Sequence, residues 1–118
     1  MCDKFSEWID GVVDGIPDNA AALNFNIYEE SGDNWSVQLI ASSYFDEDDE
    51  DWACDEVFTT GEDVFRWEEN AKWSEILEKV KTLISDYLEN GRKSAVLKQY
   101  EAVACGFVDG DIQVLYKM

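Results

Sequence analysis

Residues 23–41 constrain the fold more than any other part of the chain. "LNFNIYEE" (23–30) sets Leu23, Phe25 and Ile27 against Asn24, Asn26 and Tyr28, and "WSVQLIA" (35–41) alternates again through Trp35, Val37, Leu39 and Ala41. Between them lies the turn cluster "SGDN" (31–34). Two runs of period two around a four-residue turn predict a β-hairpin with one buried face. Slipping the register by one residue would turn the whole apolar set toward solvent, so the pairing is strongly specified. Such a hairpin needs an apolar cover, and two stretches of helical period can supply it. In "SEILEKVKTLISDYLEN" (74–90), Ile76, Leu77, Val80, Leu83, Ile84, Tyr87 and Leu88 form one continuous face. Near the N-terminus, Phe5, Trp8, Ile9, Val12 and Val13 form another, ended by Gly15 and Pro17.

Local signals predict the remaining elements. Ser74 reads as the N-cap of the long helix, Gly91 as a left-handed C-cap, and Glu75 with Lys79 as an i, i+4 ion pair. "EVFTT" (56–60) reads as a third strand, ended by Gly61, while residues 62–72 fit either a strand with a turn or an irregular loop. "SAVLKQY" (94–100) reads as a short helix. "AVACGFV" and "IQVLYK" flank Asp109-Gly110, a type I′ hairpin signal. The expected fold is α+β: an antiparallel sheet of about five strands, a meander followed by a C-terminal hairpin, with two or three helices packed on one face. No repeat or linker divides the chain, so residues 1–118 are expected to form a single domain.

Charge narrows the function classes. The chain carries 27 acidic and 9 basic residues, a formal −18, while 46% of it is apolar. That apolar content suffices for a core, unlike a disordered acidic tail. Phosphate-rich ligands need Lys and Arg to neutralise them, so direct binding to nucleic acid or an anionic membrane surface is not expected. A basic protein fits better. Three scattered cysteines without a CxxC pair, and a start without an apolar signal stretch, predict a reduced, cytoplasmic protein. No histidine is present, which removes the commonest general base and transition-metal ligand.

The charge is densest in "FDEDDEDWACDE" (45–56), where eight carboxylates occupy eleven positions around Trp52 and Cys54. An EF-hand loop would need acids at its first, third and fifth positions, glycine at the sixth and glutamate at the twelfth. Counting from Asp46 puts Asp51 at the glycine position and Val57 at the twelfth, and counting from Asp49 puts Ala53 at the fifth. The template fails, and no metal or other cofactor is expected. Nor is a catalytic residue: there is no nucleophile–base pair and no phosphate loop, and Cys54, with no histidine to activate it, reads as a small packing residue. Recognition of a cationic partner remains. A carboxylate field accelerates encounter, and an aromatic side chain anchors what arrives. The expected contact residues are Tyr44, Asp46, Glu47, Asp48, Asp49, Glu50, Asp51, Trp52, Asp55 and Glu56, with Glu29 and Glu30 as further acids. Trp52 has a competing reading in which it folds back to cap the sheet edge.

"FDEDDEDWACDEVF" (45–58), "CGFVDGDIQVLY" (105–116) and "WSVQLIASSYFD" (35–46), in order around an amphipathic helix, resemble small acidic bacterial immunity proteins. These accompany polymorphic or contact-dependent growth-inhibition toxins, and the similarity spans residues 23–117. The resemblance implies a cytoplasmic, non-catalytic protein that binds the C-terminal toxin domain, often a nuclease with a basic active-site surface. It carries over no catalytic residues. Two alternatives stand beside it: an acidic DNA-mimic regulator that occupies nucleic-acid-binding proteins, and an acidic calcium-binding module.

Overall fold

The computed structural model describes residues 2–108 and 110–118. Helix α1 (Cys2–Val12) runs into a 3₁₀ turn at Val13–Gly15. Strands β1 (Ala22–Glu29), β2 (Asn34–Ser42), β3 (Glu56–Thr59) and β4 (Phe65–Glu68) follow, then α2 (Trp73–Asn90), the short α3 (Ser94–Leu97), and strands β5 (Ala102–Phe107) and β6 (Gln113–Lys117). The architecture is α+β, with six strands in place of the expected five. The added strand is β4, within the segment whose pattern left strand and loop both open.

The hairpin of β1 and β2 is the centre of the sheet. Leu23, Phe25 and Ile27 stand opposite Ala41, Leu39 and Val37, so one face is continuously apolar. The outer edge of β2 is shared: β3 pairs with Ile40–Ser42 and β4 with Asn34–Val37. On the other side β5 lies parallel to β1, from Ala22↔Ala102 to Ile27↔Phe107, and β6 closes that edge antiparallel to β5. The sheet is therefore mixed rather than wholly antiparallel. A parallel pair needs a long crossover, and here the chain from β2 through α3 supplies it. Because β5 sits between two strands and is covered on both faces, it is buried from Ala102 to Gly106 and reads as an unbroken apolar run. The Asp109-Gly110 turn signal falls partly on Asp109, outside the described residues.

Phe5 and Ile9 of α1, Ile76, Val80 and Ile84 of α2, and Leu97 of α3 pack against Leu23, Phe25, Val37, Leu39, Val103 and Cys105 on one face of the sheet. Each large side chain buried there contributes roughly 1.5–3 kcal/mol. Phe5 meets Phe65 edge-on at 5.2 Å, which ties α1 to β4. Tyr87 ties α2 to α1, its hydroxyl donating to Asp10 Oδ1 at 2.6 Å and accepting from the Lys93 N–H at 3.2 Å. Burial, and then the Asp10 carboxylate, push that phenol above its ordinary range.

One expected helix cap moves, and the other keeps its place at Gly91 with a different conformation. The N-cap of α2 is Lys72 rather than Ser74, because the Glu75 carboxylate accepts the Lys72 N–H at 3.2 Å. Glu75 is thus committed to the cap, and Lys79 pairs with Glu69 instead, at 2.6 Å. Gly91 has φ −68°, outside the left-handed region. Its reason for being glycine is space: a Cβ there would lie 2.6 Å from the Tyr87 ring.

Candidate functional site

The acidic stretch connects β2 to β3 and crosses the sheet face opposite the helices. It is built from its own carboxylates. Asp46 Oδ1 accepts the Asp48 N–H at 2.9 Å, and Asp49 Oδ1 accepts the Asp51 N–H at 3.0 Å. These two turns of the aspartate type lead into a 3₁₀ helix at Glu50–Cys54, for which Asp49 is the N-cap. At its base Ser42 Oγ donates to the Tyr44 carbonyl, and Ser43 Oγ donates to the Asp55 carboxylate, which closes the loop on itself.

Trp52 decides the position of this loop. It is 1% exposed and packs with Ala22, Ala102 and Ala104, and Phe45 meets it edge-on at 5.2 Å. The three alanines lie on adjacent strands and leave room on the sheet for one indole. Trp52 is therefore removed from the expected contact surface: the indole folds back and is part of the fold, but it lies on the face of the interior strands β1 and β5 rather than capping the sheet edge. Ala53 and Ile112 complete this second, small apolar cluster. Cys54 is exposed rather than packed, because the 3₁₀ turn that points Trp52 inward carries the side chain two residues later outward.

Two further tethers hold the loop to the C-terminal hairpin. Glu50 Oε2 accepts the Ile112 N–H at 3.1 Å, and Lys117 Nζ donates to Glu47 Oε2 at 2.5 Å. Both partners of the Lys117–Glu47 pair are about half exposed, so this pair adds position more than stability.

All eight carboxylates, Asp46 to Asp51 with Asp55 and Glu56, are exposed. Asp46 and Asp49 turn the backbone, Glu47 and Glu50 reach the hairpin, and Asp55 meets Ser43. Asp48, Asp51 and Glu56 make no side-chain hydrogen bond or ion pair among the described residues. The exposed aromatic of this surface is Tyr44, at 42%. Partial desolvation, and then the carboxylates of Asp49, Asp51, Asp55 and Asp46, raise its phenol, which keeps it a neutral hydrogen-bond donor. Glu29 and Glu30, at the far end of β1, stand apart from this group, and Glu30 accepts from Ser36 Oγ at 2.9 Å.

Among the described residues no group of three or more Asp, Glu or Cys side chains is gathered to hold a metal ion. Cys105 is buried in the core, which pushes its thiol up to about 12 and holds it in the unreactive form. No helix among the described residues is long and apolar enough to cross a membrane. One exposed aromatic went unmarked in the sequence. Trp73, on the first turn of α2, is 64% exposed, although it continues the apolar stripe of that helix. Comparison with protein-family models, with curated proteins and with solved structures found no match to this chain.

Proposed function

We propose that this chain is an immunity protein, a cytoplasmic and non-catalytic inhibitor that binds a cognate toxin domain with a basic surface, such as a nuclease. The observation that carries the proposal is the exposed carboxylate surface on a loop clamped to the sheet by Trp52. Like charges this close repel one another, and the buried indole together with the Glu50 and Glu47 tethers offsets that cost. A cationic partner then meets carboxylates that are already in place, which lowers the ordering cost of association. The contact surface comprises Tyr44, Asp46, Glu47, Asp48, Asp49, Glu50, Asp51, Asp55 and Glu56, and Trp52 acts by positioning them. The partner's lysines and arginines would otherwise serve its own substrate, so covering them neutralises it without chemistry.

Co-expression tests this directly. The full chain should restore growth to cells producing a toxin-like C-terminal domain encoded immediately upstream of it, and the purified proteins should form a tight complex. Replacing Asp48, Asp51 and Glu56 together by their amides should slow association at least tenfold at low salt, with a smaller effect at high salt. An absence of both rescue and binding would sink the immunity reading. Binding to several unrelated basic proteins, in competition with DNA, would favour the mimic instead.

A further inference from the structure

A second surface lies where the ends of β1 and β5 meet the start of α2. It is an open groove of about 820 Å³, floored by Ile27, Leu77 and Phe107. Its volume falls in the range of clefts that take a small molecule. Trp73 forms one wall, edge-on to Phe107 at 6.2 Å and an interplanar angle of 83°, with most of its indole in solvent. Among the described residues, the charged ones lining the groove are Glu29 and Asp111, both acidic and both exposed. An exposed tryptophan over an apolar floor is the usual form of a binding anchor, and its ring face attracts cations.

We infer that this groove docks a segment of the basic partner in which an arginine or lysine stands beside an aliphatic residue. The aliphatic side chain fills the floor between Leu77 and Phe107. The cation lies against the Trp73 ring between the carboxylates of Glu29 and Asp111. Charge complementarity selects this occupant, since an acidic or purely apolar segment would leave the two carboxylates unpaired. The groove and the acidic loop lie on opposite faces of the sheet and are linked through the β5–β6 connection: Asp111 lines the groove, while the N–H of the next residue, Ile112, is held by Glu50. Trp73 thus takes the anchoring role that the sequence suggested for Trp52. The inference rests on the proposed basic partner, and it does not require that partner to be a toxin.

The test uses the full chain labelled with 5-fluorotryptophan, whose indole signals are assigned by single Trp→Phe variants. The probes are a capped peptide of alternating arginine and leucine and its glutamate–leucine counterpart. At physiological salt the arginine peptide should shift the Trp73 signal and leave Trp52 unmoved, and the glutamate peptide should do neither. Trp73→Ala should weaken binding about tenfold. Glu29→Gln with Asp111→Asn should weaken it several-fold and flatten its salt dependence, and circular dichroism would verify that both variants fold. Unchanged binding by both variants overturns the inference, as does equal binding of free arginine amide or of the glutamate peptide. Concentration-dependent self-association that is lost in Trp73→Ala would overturn it too, by assigning the groove to a second copy. Failed growth rescue together with peptide binding at Trp73 would reject the toxin reading alone. Rescue without any peptide effect at Trp73 would reject the groove alone.

Discussion

At Trp52 the indole rests on Ala22, Ala102 and Ala104, with Phe45 at its edge. Truncating it would remove most of the apolar contact that holds an octet of carboxylates against the sheet. Trp52→Ala should therefore destabilise the fold by about 3–5 kcal/mol in urea unfolding. It should also weaken partner binding, because the loop is no longer held. If unfolding were unchanged while binding collapsed, the indole would be a surface contact after all. Nothing in the local sequence could decide this orientation. The residues that receive the indole are alanines some 30 and 50 positions away, and only the pairing of β1 with β5 brings them side by side. Gly106 shows the same dependence. A Cβ there would meet the Asp111 carbonyl oxygen at 2.4 Å, a close approach that exists only once the C-terminal hairpin has folded. Tyr44, in contrast, was marked by its place beside the acidic run, and it is exposed there among four carboxylates.

Between elements, a polar tie joins Glu69, the residue after β4, to α2. Lys79 Nζ donates to Glu69 Oε1 at 2.6 Å, and the Trp67 indole N–H donates to the same oxygen at 3.0 Å. The Lys79 hydrogen bond, ahead of that from Trp67, holds the Glu69 carboxyl below its ordinary value near 4.5, against a smaller opposing effect of desolvation. A carboxyl lowered by folding binds its proton less tightly in the folded state than in the unfolded one. Its stabilising effect is thus full above the unfolded value and is lost as pH falls through the folded value. Glu69→Gln should flatten the loss of melting temperature below about pH 4.5 and leave the profile above pH 6 parallel to that of the parent chain. A variant whose profile keeps its acid slope would show that Glu69 does not carry this linkage. The pair is about one-third exposed, so solvent screening keeps its effect modest. Sequence pattern favoured Glu75 as the partner of Lys79, because spacing along one helix is visible in a sequence and the approach of a strand is not.

For the whole molecule, the formal charge of −18 dominates. Self-repulsion destabilises the compact state, and salt screens it over a Debye length of about 10 Å at 0.1 M. Raising NaCl from low to physiological concentration should increase the melting temperature by several degrees (roughly 1 kcal/mol for a domain of this size). At matched ionic strength CaCl₂ and MgCl₂ should act alike, without a saturable step, since no metal-ligating group is gathered among the described residues. A saturable rise with calcium alone would revive the calcium-binding alternative. The two candidate surfaces share this charge, and they share the β5–β6 connection, with Asp111 in the groove and Ile112 against the acidic loop. A partner engaging both would gain association rate from the loop and residence time from the groove.

The sequence by itself determined the apolar faces of α1, α2 and the β1–β2 hairpin, the place of β3 and the acidic connection before it, and the negative field. Each of these follows from a repeat of 3.6 or 2 residues, or from a sum of charges, and both can be read within a short window. The tertiary structure alone decided that β5 runs parallel to β1, that β4 joins the sheet, and that Trp52 turns inward while Trp73 stays out. Those outcomes depend on which distant surfaces meet. An indole is buried when a hollow of its size lies opposite it, and the alanines that form this one come together only when the sheet has closed.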